Sequence, residues 1–591
     1  MPADIIETDV LIVGGGGAGF RAAIGARKTG AKVTLLSKGP LARCGATPMA
    51  GADFTLDGHA LSHMGFAGDP NDSPEKFFSD IVHQGYFLNN QKLVEHYVRS
   101  APARLKELLD WGITVLHSEE RAILTTGTGI MDALLRKARS VGVQLLEDTM
   151  LVDLLTHDGA VNGALCLDVR AGEFIRVHPK AVVIATGGWH KAFWPNTGMR
   201  DLSGEGIAIA HRAGADIGNM EFITFACNVL IHPPRWLGSI ATYILHTILG
   251  GRLTNTAGQT FLDAYDPYIV EKGTTTEWNK SFISLATAKE VREGRGSPHG
   301  GVYYTRGETP WEAFEAIAGF LFPNWKYKGL DLADLGQKLR ADDAVEVGYA
   351  VEYFDGGIVV NERFETALRG LYAAGECTLG PFGSNRIASA ITEMLVHGAD
   401  AGRNAGEYSI TTNTPRPRAD DFRAREQSLE APLTRRNGLS PAPIRRRVQE
   451  TAHKHLGPIR NKAELQTLIG FLESVKAHEL SQLATSSKTR AYNKEWLDAL
   501  ELQNMVLLLE AAAKSALSRT ESRGVHYRED CPHTDNDNWL CESIIERSDN
   551  ELKVATQPVT CTTISPPHGV TAYLDMMKHM MKAHSDVGGH H

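Results

Sequence analysis

The apolar residues at the start of the chain predict a strand, a turn and a helix in direct succession. Val10–Val13 is a continuous apolar run, and it leads through glycines into a helical stretch from Ala18 to Thr29. A second predicted strand, Lys32–Leu36, follows at once. Buried parallel strands read as near-continuous hydrophobic runs, so the pattern predicts a βαβ unit.

The glycines between the first strand and the helix have the spacing G-x-G-x-x-G. Gly14 permits the tight turn, Gly16 lets the backbone approach a pyrophosphate, and Gly19 lets helix and strand pack closely. The first N–H groups of the helix then face the phosphates. NAD-binding folds usually end the second strand with an acidic residue for the ribose, but this chain has Ser37-Lys38 there. The loop predicts a dinucleotide other than NAD; a glycine-rich turn without a ligand is the alternative.

The same patterns divide the chain into domains. Two further predicted strands, Ala160–Asp168 and Ala181–Thr186, continue the α/β pattern, which then gives way to a segment richer in Trp, Pro and Thr. The α/β pattern returns near Asp355 and closes at Glu376. The predicted domains are a discontinuous cofactor-binding domain (1–225 and 346–410), an inserted capping domain (226–345), a helical domain (419–535) and a C-terminal extension (536–591).

Composition and charge exclude several classes of protein. A net charge of −9 over 591 residues argues against wrapping of nucleic acid. The seven cysteines form no C-x-x-C, so we predict no metal ligands and no iron–sulfur ligands in this chain. The first strand leaves no room for a signal peptide, and the longest apolar stretch, Met505–Leu509, is too short for a bilayer. These features predict a cytoplasmic protein that meets a membrane only through a partner.

Six motifs occur in a fixed order along nearly the whole chain. They are the glycine loop, Arg43–Gly51, Ala185–Gly188 with Gly204–Gly214 and Met220–Phe222, Arg292–Gly296, Gly370–Glu376 with Gly383–Arg386, and Arg519–Asp530. Together they resemble the flavoprotein subunits of succinate dehydrogenase and fumarate reductase, whose relatives include L-aspartate oxidase and adenylylsulfate reductase. The resemblance implies an α/β fold with a Rossmann-like FAD-binding domain, an inserted α+β capping domain and a C-terminal helical domain.

The resemblance also implies FAD and the residues that hold it. Glu376 would bind the adenosine ribose, and the glycine loop would hold the pyrophosphate. The family's membrane enzymes attach FAD through a His, but the matching position is Gly45, so we predict non-covalent FAD; Cys44 beside it is a less favoured nucleophile. The implied cofactor residues are Gly14, Gly16, Gly19, Ser37, Lys38, Thr47, Gly51, Gly187, Glu205, Glu376 and Asn385.

The catalytic residues that the resemblance implies depart from the family's dicarboxylate set. Arg386 matches the substrate-binding Arg, with a structural ion pair as the alternative. Lys280 falls on a catalytic Arg and Glu352 on a substrate His; each is either an acid or base, or a structural residue. A Glu facing substrate would repel a second carboxylate, so we predict that succinate and fumarate are not the main substrates.

A second substrate His is replaced by Ala226, and a Thr-Glu pair by Tyr243-Ile244, which makes the expected pocket more apolar. Four other polar residues of this part of the chain are interpreted as structural more than pocket-lining: His232, His246, Arg252 and Trp278. His190 is expected either near the flavin or as a core histidine.

The predicted function is a FAD-dependent oxidoreductase that moves a hydride between flavin N5 and a carbon substrate. An iron–sulfur, ferredoxin-like partner protein would exchange the electrons, and the Arg523–His526 region resembles the family part that meets it. The alternatives are a self-contained flavin oxidase of the L-aspartate oxidase type, a sulfur-oxoanion reductase of the adenylylsulfate reductase type, and a non-catalytic electron-transfer flavoprotein. A Met-rich helix at Met576–Met581 is predicted to be core or a partner contact.

Overall fold

The computed structural model describes residues 5–50, 53–273, 278–324, 333–386, 389–548 and 551–585. Its strands are β1 (Ile6–Val13), β2 (Val33–Leu36), β3 (Asp53–Thr55), β4 (His117–Glu119), β5 (Ala122–Leu124), β6 (Gln144–Leu146), β7 (Thr149–His157), β8 (Ala160–Asp168), β9 (Glu173–Ile184), β10 (Ile217–Gly218), β11 (Ile223–Leu230), β12 (Arg252–Thr254), β13 (Val302–Thr305), β14 (Val345–Phe354), β15 (Gly357–Ile358), β16 (Leu371–Ala373), β17 (Ile459–Arg460), β18 (Tyr527–Arg528), β19 (His533–Asp535), β20 (Cys541–Ser548), β21 (Glu551–Pro558) and β22 (Val570–Ala572).

The helices alternate with these strands in the first 400 residues and dominate the next 120. They are α1 (Gly17–Arg27), α2 (Gly58–His63), α3 (Pro74–Gln84), α4 (Gln91–Asp110), α5 (Gly127–Ser140), α6 (Glu205–Ala213), α7 (Ala241–Leu249), α8 (Leu262–Tyr265), α9 (Pro267–Gly273), α10 (Asn279–Arg292), α11 (Trp311–Asn324), α12 (Ala333–Arg340), α13 (Ala390–Thr411), α14 (Ala419–Thr434), α15 (Pro441–His455), α16 (Lys462–His478), α17 (Lys494–Ser518) and α18 (Tyr573–Ser585).

A seven-stranded sheet forms the centre of the α/β part. Its order is β6-β2-β1-β9-β8-β7, with β16 also paired to β9. The strands β6, β2, β1, β9 and β16 run parallel, so their carboxyl ends meet at one edge. The predicted βαβ unit and the strand at Ala160–Asp168 are confirmed, while the strand predicted at Ala181 begins earlier, at Glu173. The long β9 pairs with β8 through its first residues and with β16 through its last.

Chain segments far apart in sequence complete this cofactor region. The strand β16 pairs with β9, and the helix α13 packs along α1, although both elements lie more than 340 residues after α1 in the chain. Small residues at the contact, among them Ala22 and Gly402, bring the two helices close together. The sheet therefore contains strands that lie before and after the inserted region in the chain.

The inserted region is built on an antiparallel sheet of order β11-β14-β13-β12. The helix α10 packs against β11 and β14. In sequence, this sheet extends beyond both ends of the predicted capping domain (226–345), since β11 begins at Ile223 and β14 ends at Phe354. Four methionines of α18 (Met576, Met577, Met580 and Met581) are buried in the apolar core of this region. The Met-rich helix therefore serves as core.

The C-terminal part combines a helical layer with strands that return to the centre of the molecule. The 25-residue helix α17 is buried along most of its length and contacts α15 and α16. The strand β20 pairs with β10, which lies in the cofactor region. Among the described residues, no helix is long and apolar enough to cross a membrane.

Candidate active site

Four parallel strand ends meet around a cleft of about 330 Å³. The segments that follow β1, β2, β9 and β16 all line it, as does the inserted region through α7, α10 and β14. Ligand sites of open α/β sheets lie outside the carboxyl ends of the strands. Among its lining residues are Gly14, Gly16, Lys38, Thr47, Gly187, Glu205, Tyr243, Lys280, Glu352, Tyr353, Glu376 and Arg386.

The glycine loop has the geometry that a pyrophosphate needs. Gly14 has φ +125°, and a Cβ there would lie 2.1 Å from the carbonyl oxygen of Ala185. A Cβ on Gly19 would lie 1.8 Å from the carbonyl oxygen of Gly14, so this residue allows helix and strand to pack. A Cβ on Gly16 would meet only Thr47, at 3.7 Å, so Gly16 keeps space open inside the cleft.

The start of α1 completes this phosphate cradle. Gly16 caps the helix without a side-chain hydrogen bond, and the first turn carries no acidic residue. The first N–H groups of a helix have no partner within it, so this end directs them and its positive dipole end to the cleft; that of Gly17 donates to the Thr47 hydroxyl. A dinucleotide phosphate fits this end of the site.

Lys38, at the end of β2, lies in a buried ion network. Its ammonium is 3.2 Å from Glu205 and 2.7 Å from Glu501 of α17, and it donates to Ser203 Oγ at 2.7 Å. Burial acts to lower the pKa of Lys38, but the two carboxylates outweigh it and raise that pKa. Ser37 is buried beside it and turned inward, where its hydroxyl donates to the Gly39 carbonyl oxygen at 2.8 Å.

The loop after β2 brings Thr47 to the start of α1. Its hydroxyl accepts a hydrogen bond from Gly17 N at 3.2 Å. Gly51, predicted at the end of the same loop, lies outside the described residues. At the position where the family's membrane enzymes carry the attachment His, Gly45 donates from its backbone N to Asp201 at 2.7 Å. Burial raises the pKa of the neighbouring Cys44 thiol.

Glu376 and Asn385 supply polar atoms without a partner inside the protein. Glu376 Oε1 and Asn385 Nδ2 are buried and make no hydrogen bond. Glu376 follows β16, so it lies on the opposite side of β1 from Lys38, and its carboxylate is 3.9 Å from His190 Nε2. Such orphaned atoms are costly without a ligand. Glu376 lines the cleft and, together with the glycine cradle, fits a bound dinucleotide, whereas Asn385 is not among the lining residues.

Lys280 and Glu352 face each other in the cleft. Lys280 on α10 places its ammonium 3.3 Å from Glu352 near the end of β14, and both side chains are less than one-tenth exposed. The ammonium also lies 5.5 Å from the ring centre of Tyr243 and 4.8 Å from that of Tyr353. The structure thus joins two residues that the sequence separates by 72 positions into one buried ion pair.

Arg386 is held by the protein's own acceptors. Its Nη1 donates to Glu393 at 2.5 Å, its Nε to Asp355 at 3.3 Å, and its Nη2 to the Phe354 carbonyl oxygen at 3.3 Å. The guanidinium also stacks over Phe382, 4.6 Å from the ring centre. Arg386 therefore lines the cleft, as a substrate-binding residue would, and is also engaged in buried ion pairs, as a structural residue would be. Its contact with a substrate stays a prediction.

Asp355 is a site residue that the sequence did not reveal. Its side chain is fully buried, and this burial raises its pKa to about 7 against the opposing effect of Arg386. The second carboxylate, Glu393, also has its pKa raised by burial. The available signal was an acidic residue directly after the strand that carries Glu352 and directly before a pair of glycines, Gly356-Gly357.

Several other residues have structural roles in this geometry. His190 donates from Nε2 to the Glu352 carbonyl oxygen at 2.6 Å and so fixes that strand end from behind the cleft. His246 pairs with Asn228 at 2.8 Å, and burial lowers its pKa to about 4. Tyr243 and Ile244 line the cleft as the apolar wall that the sequence predicted. Ala226, His232, Arg252 and Trp278 lie outside the lining.

The Arg519–His526 motif is internal. Arg519 pairs with Glu221 at 2.7 Å and Arg523 with Glu521 at 2.8 Å, and all four side chains have zero exposure. Burial lowers the pKa of His526 well below its ordinary value, with Arg460 adding to the effect. In this chain Arg519, Arg523 and His526 are therefore buried and support the fold from inside.

The fold and the cleft define a dinucleotide-binding protein, and comparison with known proteins places it. Residues 9–122 and 114–391 match the FAD binding domain family, and residues 445–573 match the C-terminal domain of the fumarate reductase flavoprotein. The chain belongs to the fumarate reductase and succinate dehydrogenase flavoprotein family, whose members are FAD-dependent oxidoreductases.

Individual relatives cover nearly the full length. The chain is 29% identical over 553 residues to a subunit of the "Fumarate reductase (CoM/CoB)" of Methanothermobacter marburgensis, covering 90% of this chain and 96% of that protein. It is 30% identical over 564 residues to an uncharacterized FAD-dependent oxidoreductase of Methanocaldococcus jannaschii, covering 92% and 96%. Among solved structures, a chain of E. coli quinol fumarate reductase matches with a TM-score of 0.83 and 25% identity, covering 95% and 98%.

Proposed function

We propose that this chain is the flavoprotein subunit of an oxidoreductase that reduces or forms a carbon–carbon double bond, with Lys280 and Glu352 as its proton-transfer pair. The observation that carries the proposal is their 3.3 Å contact in the cleft that also contains the glycine loop. A positioned ammonium can donate a proton to a substrate carbon, and a carboxylate in contact with it can return one. In the reductive direction one carbon receives a hydride and the other a proton, so that the double bond becomes a single bond.

FAD would supply the two-electron chemistry by exchanging a hydride at flavin N5. We expect Gly14, Gly16 and the start of α1 to bind its pyrophosphate. The sheet order does not favour the adenosine ribose as the partner of Glu376, because ribose sites lie at the end of β2 and Glu376 lies beyond β9. We propose instead that Glu376 binds the flavin side of the cofactor, where its unpaired carboxylate oxygen faces His190.

We further propose non-covalent FAD, because Gly45 offers no side chain for attachment and the Cys44 thiol has a raised pKa. Acid precipitation of the purified holoprotein should leave the flavin in the supernatant. A pellet that keeps the flavin absorbance would contradict this.

The charges of the site favour a substrate with at most one carboxylate. Lys280 is matched by Glu352, and Arg386 by Asp355 and Glu393, so the protein supplies three carboxylates for two cations. A dicarboxylate would add two negative charges to this set, and unpaired buried charge costs several kcal/mol. Although relatives are named fumarate reductases, we therefore propose a neutral or monoanionic unsaturated substrate, walled by Tyr243 and Ile244.

Electrons would reach or leave the flavin through a separate iron–sulfur protein. The relative from Methanothermobacter marburgensis is itself named as one subunit of its enzyme. The seven cysteines of this chain all lie in its described part, form no disulfide there, and are scattered from Cys44 to Cys561 without cluster spacing. The ligands for a cluster would thus come from the partner.

Stopped-flow reoxidation of the dithionite-reduced holoprotein tests the substrate class. Neutral enones and monoanionic enoates should reoxidise the flavin faster than fumarate does at equal concentration. Rapid reoxidation by fumarate would overturn the substrate proposal. It would not bear on the proton-transfer pair, which is tested by variants of Lys280 and Glu352.

Lys280→Met and Glu352→Gln test the pair. Loss of a general acid or base typically costs 10²–10⁴-fold in rate, so both variants should reoxidise at least about a hundredfold more slowly with unchanged FAD content. Lys289→Met is the matched control, because Lys289 lies on the same helix α10 outside the cleft lining. Equal rates in Lys280→Met and the control would rule out the assigned role.

A further inference from the structure

Two histidines and a glutamate meet at the far end of the inserted sheet. The ligand atoms of His232, His299 and Glu346 all lie within 4.8 Å of one another. The two imidazole rings are stacked, with centroids 3.9 Å apart and planes 17° from parallel. Glu346 accepts a hydrogen bond from His299 Nδ1 at 2.9 Å and another from His299 N at 3.2 Å.

Backbone hydrogen bonds hold all three residues at one edge. Ile231 N donates to the Glu346 carbonyl oxygen at 3.2 Å, which ties the segment after β11 to the start of β14. The turn that carries His299 is closed by Ser297 N donating to the Gly301 carbonyl oxygen at 2.6 Å. The three side chains therefore come from three segments whose spacing is fixed by the sheet.

The chemistry of this cluster suits a late first-row divalent cation. Imidazole and carboxylate together are typical ligands of Zn²⁺, at about 2.0–2.2 Å from the metal. Glu346 contacts one imidazole directly and the second imidazole stacks on the first, so one cation between them would engage all three side chains. The His299 side chain is 46% exposed, so its ring can rotate to bring its nitrogen to the ion.

We propose that His232, His299 and Glu346 form a zinc-type cation site that joins three segments of the inserted region. None of the three lines the flavin cleft. Glu346 lies six residues before Glu352 on the same strand, which corresponds to about 20 Å along β14. The site is therefore structural and separate from the proposed chemistry. The sequence did not predict it, because its ligands lie 67 and 47 residues apart with no metal-binding motif.

Zinc titration of EDTA-treated holoprotein against a chromophoric chelator tests the site. The parent protein should carry His590→Ala and His591→Ala, because the two terminal imidazoles can bind the same ion. This parent should bind zinc at one site that His232→Ala, His299→Ala and Glu346→Gln each weaken at least tenfold. His157→Ala, an exposed histidine beside Asp158, is the control and should bind zinc as the parent does.

Two further readouts separate this site from other surface histidines. Zinc should raise the thermal unfolding midpoint of the parent but not of His299→Ala, because a ligand that binds only the folded state stabilises it. Binding should also weaken as the pH falls through about 6.5, where imidazole takes up a proton. Equal zinc affinity in Glu346→Gln and the parent, or an equal rise in midpoint in His299→Ala, would overturn the proposal. FAD content, measured for every variant, reports whether each is folded.

Discussion

At the scale of single residues, the environment of Arg386 sets the charge of one wall of the cleft. Asp355 and Glu393 both contact its guanidinium from inside the protein. Burial raises the pKa of Asp355 to about 7, so the charge of this cluster changes near neutral pH. Under the proposed function, an anionic substrate would compete with Asp355 for the same cation, and the outcome of that competition would depend on pH.

We predict that Asp355 makes the affinity for a monocarboxylate fall as the pH rises. Below pH 7 Asp355 is protonated and leaves Arg386 to the ligand; above pH 7 the carboxylate is ionised and competes. The groups that act on Asp355 are Arg386, Glu393 and the Thr224 hydroxyl. The dissociation constant of crotonate, read from the flavin spectrum, should rise at least about tenfold between pH 5.5 and 8.5.

In Asp355→Asn this pH dependence should disappear, and the affinity at pH 8.5 should approach the wild-type value at pH 5.5. Asp153→Asn, a change at a carboxylate outside the cleft lining, should keep the wild-type profile. An unchanged profile in Asp355→Asn would assign the titration to another group.

At the scale of elements, the glycine loop separates the requirements of folding from those of binding. Gly19→Ala puts a Cβ 1.8 Å from the Gly14 carbonyl oxygen, so it should destabilise the strand–helix unit itself. Gly16→Ala meets no atom closer than 3.7 Å and has φ −85°, which alanine adopts readily. Its methyl group would instead occupy the space of the phosphate.

We therefore predict that Gly16→Ala folds like the wild type without cofactor but binds FAD at least about tenfold more weakly, a loss of about 1.4 kcal/mol. Gly19→Ala should lower the unfolding midpoint of the apoprotein as well. Thermal unfolding of the apoproteins and fluorescence titration with FAD measure the two effects. Normal FAD affinity in Gly16→Ala would show that the phosphate lies elsewhere.

The elements that the sequence predicted well are those whose pattern is local. Val10–Val13, the glycine loop and Ala160–Asp168 were correct because a buried strand and a G-x-G-x-x-G turn are written in consecutive residues. The Lys280–Glu352 contact, the Asp355–Arg386 pair and the role of Lys38 depend on segments brought together by the fold. The hydrophobic periodicity within one segment carries no information about its contacts with a distant segment.

At the scale of the whole molecule, a buried ion network ties the cofactor region to the helical region. Glu501 of α17 accepts contacts from Lys38, which lines the cleft, and from Lys191. Burial acts to raise the pKa of Glu501, but the surrounding lysines lower it to about 2. The carboxylate is therefore ionised at neutral pH and contacts two buried ammonium groups, each of which has one further carboxylate partner: Glu205 for Lys38 and Asp498 for Lys191.

We predict that Glu501→Gln lowers the free energy of unfolding by about 1.5–3 kcal/mol, since Lys38 and Lys191 lose a charged hydrogen-bond partner but keep Glu205 and Asp498. It should also lower FAD affinity, because Lys38 lines the cofactor cleft. Glu450→Gln, at an exposed pair with Arg446, should change stability by no more than about 0.5 kcal/mol. Denaturant titration of both variants makes the comparison. A loss in Glu501→Gln no larger than that of the control would mean that the network is solvated.

The discontinuous sheet has a consequence for how the protein is made. The edge strand β16 and the helix α13 that packs on α1 lie after residue 370, so the FAD cradle is incomplete until most of the chain has left the ribosome. At about 5–20 residues per second this takes roughly 20–75 s. During that time β9 presents an unpaired edge at the place where β16 will dock, and an unpaired hydrophobic edge invites aggregation. FAD can therefore meet its complete cradle only late in synthesis, after this edge of β9 has been covered.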